Sequence, residues 1–218
     1  MPRPPAPEPQ DDDALMRAYA EGNAAAFERL YDRHQAALYR FVHRLLGREA
    51  GTQAEEVFQD TWLRAIEARH RWQPQGASFR TWLFTLAHHR AVDCLRRSGR
   101  ETALPGSGTS ADDDAPPFEP VGTAWAAWPP PGAEDLVHWR AAGRRLLDCL
   151  DALPLAQKTV FLMHHEDGLS VDDLAKALAL GFETAKTRLR YAMSKLRTCM
   201  GAYLAAPVSG NGSSEAPQ

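Results

Sequence analysis

The sequence predicts an all-α protein: two small helical domains joined by a flexible acidic linker, the second with a helix-turn-helix. Three observations predict it. Apolar residues recur every three or four positions on both sides of the linker, and no run alternates as a half-buried strand does. Residues 101–133 interrupt that periodicity with seven prolines and four glycines. Past them, a short helical pattern meets Leu180-Gly181 and then a long basic helical pattern, which is how a helix-turn-helix reads.

The elements follow in order. Residues 1–13 hold Pro and Asp in quantity and are expected to be a disordered tail. Residues 14–100 form the first domain, a bundle of three or four helices. Phe27, Leu30, Tyr31, Leu38, Phe41, Val42 and Leu45 mark one helix, which Gly47 can close. A second runs from about Thr52 to Ala68 with Ala54, Val57, Phe58, Trp62, Ala65 and Ile66 on its apolar face. After a loop with Pro74 and Gly76, Ser78 N-caps a third helix carrying Phe79, Trp82, Leu83, Leu86 and Leu95. Residues 134–204 form the second domain. Its first helix stops before Pro154, and another spans about Leu155 to His165. Ser170 with Asp173 resembles a capping box. Ala185, Leu189, Ala192, Met193, Leu196 and Met200 then give the last helix its apolar stripe. Residues 205–218 are expected to be a second disordered tail. Phe118, Trp125 and Trp128 are unusual in a spacer and are expected to dock on something.

Composition narrows the classes. The 218 residues are 44% apolar, 24% charged and 9% aromatic, which excludes a fibrous or wholly disordered chain. No stretch approaches the roughly 20 apolar residues of a membrane helix, so no membrane insertion is expected. The N-terminus lacks the apolar core of a secretory signal. Cys94, Cys149 and Cys199 are odd in number and scattered, which suggests neither a disulfide framework nor a metal site. Cys94 and Cys149 read as buried small hydrophobes, and a reducing cytoplasm is the expected location. No nucleophile triad, phosphate loop or dinucleotide glycine motif occurs. No catalytic residue, cofactor or metal is therefore expected. His88-His89 and His164-His165 are adjacent pairs, and neighbours on a helix point about 100° apart rather than at one ion.

The net charge of −3 hides an asymmetry. Residues 14–100 carry +5 and residues 140–200 carry +3, separated by −7 over 101–139. Two basic blocks suit a polyanionic partner, although solvated faces also produce such a pattern. In the last helix, Lys186, Arg188, Arg190, Lys195 and Arg197 lie off the apolar stripe, with Glu183, Thr184 and Thr187 at the start. The N-terminal residues of such a helix reach base edges and phosphates in the major groove. The outer face of an ordinary bundle helix is charged in the same way. In the first block, His70, Arg71, Trp72 and Phe79 flank the Pro/Gly loop, and Arg80, Arg90, Arg96, Arg97 and Arg100 follow. Aromatics between cations are the chemistry of single-stranded nucleic-acid binding, each stacked base contributing roughly 1–3 kcal/mol. Phe79 and Trp82 also fit a plain core role at their helical spacing.

Taken in order, the motifs resemble a known family. FERLY at 27–31, AEEVFQDTWL at 54–63, FRTWLFTLA at 79–87 and DCLRR at 93–97 are followed by Leu153-Pro154, GLS at 168–170, DLA at 173–175 and TAKTRL at 184–189. This set is similar to sigma-70-family RNA polymerase sigma factors of the small extracytoplasmic-function (ECF) type, over about residues 27–98 and 136–200. The resemblance implies a transcription initiation factor, not an enzyme, whose partners are core RNA polymerase, promoter DNA and an anti-sigma factor. It implies that Glu55, Glu56, Gln59, Asp60 and Trp62 contact polymerase. It implies that His70, Arg71, Trp72, Arg80, His89, Arg90, Arg96 and Arg97 engage the minus-ten element and its flipped bases. It implies that Glu183, Thr184, Lys186, Thr187, Arg188, Arg190 and Tyr191 read the minus-thirty-five element. The acidic linker falls where such linkers run through the RNA exit path. Two positions depart from the family: His89 stands where Asn is common, and Tyr191 where Arg often stands. A different class of protein, a helix-turn-helix regulator that does not load on polymerase, shares the second half of the pattern. An apolar outer stripe on the 54–66 helix would favour that alternative, whereas exposed Glu56, Gln59 and Asp60 favour the sigma factor.

Overall fold

The computed structural model describes residues 11–73, 77–99, 133–166 and 168–204. The linker with its Trp residues, both tails beyond these limits, the Pro74–Gly76 tip, Arg100 and Asp167 lie outside the described residues. Among those described there are eight α-helices and no strand. Helices α1 (Asp12–Ala20), α2 (Ala24–Leu46), α3 (Gly51–Glu67) and α4 (Phe79–Arg97) build the first half. Helices α5 (Ala133–Asp151), α6 (Leu155–His165), α7 (Val171–Ala177) and α8 (Phe182–Leu204) build the second.

Helix α1 begins within the segment expected to be a disordered tail. Its two first-turn carboxylates explain why it is ordered. Asp12 accepts hydrogen bonds from His34 Nε2 at 2.7 Å and Arg33 Nη1 at 2.8 Å on α2. Those contacts, His34 first, hold its carboxyl below the usual carboxylate range against the opposing effect of burial. Asp13 accepts from the Phe79 backbone N–H at 2.7 Å, satisfying one of the orphan donors at the start of α4. Leu15 and Met16 are then buried beneath.

Helix α2 buries Ala26, Leu30, His34, Leu38, Phe41, Val42, Leu45 and Leu46; Leu30, Leu38, Phe41, Val42 and Leu45 belong to the predicted stripe, whose Phe27 and Tyr31 are only half-buried. Gly47 ends it in the left-handed region at φ 85°, its N–H bonded to the His43 carbonyl. A Cβ there would also lie 3.2 Å from the Asp151 carboxylate, so both conformation and space favour glycine. Ser78 Oγ accepts from the Thr81 N–H at 3.2 Å, the cap expected for α4. Phe41 meets Phe84 edge-on at 5.3 Å in the middle of the first bundle.

In the second half, Ala185, Leu189, Ala192 and Leu196 of α8 are buried against α5, α6 and α7. Ser170 Oγ accepts from the Asp173 N–H, the forward half of a capping box, while the Asp173 carboxylate accepts from the Ser170 hydroxyl at 2.7 Å rather than from its backbone N–H. After α7 the chain turns through Ala179 at φ 51°, and the Leu180 N–H returns to the Ala175 carbonyl. The cysteine reading needs correction. Cys149 on α5 and Cys199 on α8 are joined as a disulfide, and only Cys94 is a free buried thiol. The packing of α5 on α8 brings two Cα atoms, 50 positions apart in the chain, to 5.9 Å. Where it is oxidised, a cross-link closing a loop of that length stabilises by about 2–4 kcal/mol; in a reducing cytoplasm the same pair stands as two packed thiols and supplies no cross-link.

The two halves pack on each other. Arg44 on α2 pairs with Glu166, which caps α6, and Arg80 on α4 donates to the Glu166 carbonyl at 3.0 Å. Arg48 pairs with Asp148 at 2.7 Å. His88 on α4 lies 3.5 Å from the Thr159 hydroxyl of α6. Burial at this junction, with His89 beside it, pushes the His88 imidazole down to about 4 from an ordinary 6.5. Unfolding exposes the ring, so below pH 6.5 the unfolded chain takes up a proton that the folded one refuses. Stability should be full above pH 6.5 and decline as the pH falls toward about 4, by on the order of 3 kcal/mol. Urea midpoints at pH 7, 5.5 and 4.5 check this, and His88→Gln should flatten the decline.

Candidate protein and nucleic-acid interfaces

Helix α3 is sorted by its own periodicity. Ala54, Val57, Thr61, Trp62 and Ala65 face inward, so Glu55, Glu56 and Gln59 are exposed. Leu63 shares that outer surface at 58% exposure, a residue the sequence reading did not single out. Its signal was there: it sits four residues beyond Gln59 and outside the buried set. Trp62, expected among the polymerase contacts, lies instead in the core at 5% exposure. Its ring meets Phe27 edge-on at 5.8 Å and Tyr31 at 5.0 Å. Asp60 is half-buried and shared. Its Oδ2 accepts from Arg64 Nε at 3.1 Å and from Arg90 Nε, on α4, at 2.6 Å. Burial raises the Asp60 pKa, but the hydrogen bonds and charges of Arg64 and Arg90 outweigh it and the net direction is down.

The cations of α4 are not all presented to solvent. Arg90 is held from both sides, by Asp60 and by Asp93 at 2.9 Å. Arg80 is engaged by the Glu166 carbonyl of the other half. His89, Arg96 and Arg97 are exposed, and Arg97 Nε donates to the Asp93 carbonyl at 3.3 Å. At the loop, His70 and Arg71 are exposed, and Arg69 donates to His70 at 3.0 Å. Trp72 is half-buried, packed edge-on against the fully buried Phe79 at 6.1 Å. Trp82 lies tilted against the same ring at 5.8 Å and is also only half-buried, so the contrast between a loop Trp and a core Trp is smaller than the sequence suggests. The structure thus brings His70, Arg71, Trp72, Arg80 and Phe79 to one end of α4 and leaves His89, Arg96 and Arg97 farther along it.

On α8 the buried stripe leaves Glu183, Thr184 and Lys186 exposed and Thr187, Arg188, Arg190 and Tyr191 half-exposed. The Arg190 guanidinium lies over the Tyr191 ring at 5.5 Å. Lys186 lies 3.7 Å from the Glu183 carboxylate. All seven residues expected to meet DNA therefore lie off the buried stripe, three of them exposed and four, Thr187, Arg188, Arg190 and Tyr191, partly covered.

Fold and surfaces define a class: a two-part helical protein with a helix-turn-helix in its second half and a separate polar helix face in its first. Comparison with known proteins sharpens it. The family profile described as Sigma-70 region 2 matches residues 30–101, and that described as Sigma-70, region 4 matches residues 143–196. The ECF RNA polymerase sigma factor SigK of Mycolicibacterium vanbaalenii is 33% identical over 189 residues, covering 87% of this chain and 89% of that protein. SigK of Mycobacterium tuberculosis is 29% identical over 195 residues, 87% of this chain and 94% of that one. Among solved structures, CnrH in complex with the cytosolic domain of CnrY aligns with a TM-score of 0.58 at 23% identity, over 88% of this chain and 99% of that one. The sigma factor RpoE of Bartonella quintana, in complex with the anti-sigma factor NepR, aligns with a TM-score of 0.56 at 23% identity, over 80% and 96%. The chain belongs to the sigma-70 family of RNA polymerase sigma factors, ECF type. It is a transcription initiation factor that binds core polymerase, recognises promoter DNA and promotes its melting; the polymerase-free regulator is not favoured, because region 2 accompanies region 4.

The burial pattern separates core from contact on α3. Trp62→Ala should lower stability by about 3–5 kcal/mol. Gln59→Ala, at an exposed position, should stay within about 0.5 kcal/mol of wild type. Denaturant unfolding of the two variants checks the assignment.

Proposed function

We propose a division of labour among the three surfaces. The outward face of α3, with Glu55, Glu56, Gln59 and Leu63, grips core polymerase. Asp60 and Trp62 support that face, Asp60 through Arg64 and Arg90, Trp62 from the core. His70, Arg71, Trp72 and the α4 cations engage the melted minus-ten strand. Arg80 reaches that strand only when its bond to the Glu166 carbonyl parts, so promoter engagement separates the two halves at this point. Helix α8 reads the minus-thirty-five element. On this reading residues 14–100 are the region 2 unit, 101–133 the acidic linker and 134–204 the region 4 unit. The site of action is the cytoplasm, where polymerase is, and the protein has no catalysis of its own. An anti-sigma factor is proposed as a partner, by analogy with the solved relatives, RpoE among them, which were captured with partner proteins.

The observation that carries this reading is the sorting of α8, in which Ala185, Leu189, Ala192 and Leu196 are buried while every residue expected to meet DNA lies off that stripe. Two experiments test it. Gln59→Ala with Leu63→Ala should weaken capture of purified core polymerase at least ten-fold while unfolding as wild type does. Unchanged capture by the folded double variant removes α3 from the interface. For α8, Lys186 and Arg190 lie four residues apart on one face. Lys186→Ala should weaken all promoters alike and reduce the salt slope by about one, the signature of a phosphate contact. Arg190→Ala should relax preference at one upstream position, the signature of a base contact. Promoter-library binding by the holoenzyme at two salt concentrations distinguishes them, and wild-type behaviour of both variants sinks the reading of α8.

A further inference from the structure

Three large apolar side chains are exposed among the described residues: Tyr39, Leu63 and Phe182. Tyr39 stacks on His43 at 4.1 Å and meets Phe58 edge-on at 5.5 Å, so its ring has neighbours. Leu63 belongs to the α3 face already discussed. Phe182 is 48% exposed and is the first residue of α8. It does not serve the core. The buried stripe of α8 starts at Ala185, and Leu180, on the other side of Gly181, is the residue that packs inward at the turn. A cation stands beside its ring: Lys186 Nζ, four residues on and on the same flank, lies 6.0 Å from the ring centroid.

An exposed phenyl ring at this place has a narrow choice of ligand. It lies at the end of the helix whose N-terminal residues enter the major groove. Phosphates are met by cations and N–H groups, and base acceptors and donors by polar side chains. Neither needs a phenyl ring. The one apolar feature on the floor of the major groove is the C5-methyl group of thymine. Lys186 beside the ring supplies a cation for the adjoining phosphate or base acceptor, so ring and charge can be used together. Glu183 and Thr184, exposed next to Phe182, keep the surrounding surface polar. We propose that Phe182 is a specificity residue of this protein that contacts the methyl group of one thymine in the upstream promoter element. The inference rests on the reading of α8 as the upstream DNA reader.

The test uses full-length protein assembled with core polymerase. The probe is a duplex carrying the upstream element that the wild-type holoenzyme enriches from a randomised library. Each thymine is replaced in turn by uracil, which removes one methyl group and leaves every hydrogen-bonding atom in place. Wild type should lose about three- to five-fold in affinity at one thymine, the worth of one buried methyl group. Phe182→Ala should bind the thymine duplex correspondingly less well and show no loss on uracil substitution at that position. Phe182→Leu, still apolar, should retain part of the discrimination. Thermal unfolding of both variants should match wild type, since the ring is not in the core. Uracil tolerated at every thymine by wild type overturns the inference, as does a Phe182→Ala variant with the wild-type response. In either case an enriched upstream element leaves the reading of α8 standing. Enrichment of no upstream element overturns that reading and this inference together.

Discussion

Helix α2 must be buried along more of its circumference than a surface helix, and the arrangement of both halves depends on that requirement. It runs 23 residues, packs against α1, α3 and α4, and also meets α5 and α6 of the second half. A single apolar stripe would serve only one of these neighbours. The sequence meets the demand by closing up its apolar residues toward the C-terminus, where Phe41, Val42, Leu45 and Leu46 are all buried. Spacing of four alone, as at Ala26, Leu30, His34 and Leu38, suffices where only the first bundle is in contact. Arg40 and Arg44 lie four apart on α2, and Arg48 follows just past the Gly47 that ends it. Two of them become the links to the second half, through Glu166 and Asp148.

The same helix explains what was legible in the sequence. Every element from Phe27 onward announces itself through local periodicity, capping and turn residues, which are properties of ten or twenty consecutive positions. Ser78 and Ser170 cap the helices that their spacing predicts. Helix α1 was hidden because its order comes from His34, Arg33 and the Phe79 N–H, partners 22, 21 and 66 positions away. Among prolines and aspartates, Asp12 and Asp13 look like solvated tail; only the tertiary contacts turn them into anchors. Cys149 and Cys199 were misread for the same reason. Nothing local distinguishes two cysteines 50 positions apart from isolated ones until α5 and α8 are laid side by side.

The candidate surfaces show a related limit. Residue type and spacing correctly set Glu55, Glu56 and Gln59 on the outside of α3, because an amphipathic helix leaves few alternatives. The contact role that the resemblance implies for Trp62 falls on a residue that the spacing already sets on the apolar face, and its bulk fills the space between Phe27 and Tyr31. Leu63 was overlooked for the converse reason. A leucine next to a buried tryptophan invites the core, yet one further residue is about 100° further round the helix, and there it meets no neighbour that covers it.

Charge patterns are the least local of all. Arginines on or beside α4 read as one basic surface in the sequence, but the fold gives the four described ones different states. Arg96 and Arg97 remain exposed, Arg80 is engaged across the junction, and Arg90 is clamped between Asp60 and Asp93. Because Asp60 stands on α3 and Arg90 on α4, the helix proposed to grip polymerase and the helix proposed to engage the promoter share one carboxylate. A charge-assisted bond at 2.6 Å that is only partly exposed is among the stronger polar links a small bundle contains. Removing the carboxylate would leave Arg64 with water and Arg90 with Asp93 alone, so the orientation of α4's guanidinium would change along with the face of α3. The effects of a variant at Asp60 on polymerase capture and on promoter melting therefore cannot be independent, whereas those of Gln59 and Leu63, which hold nothing on α4, can.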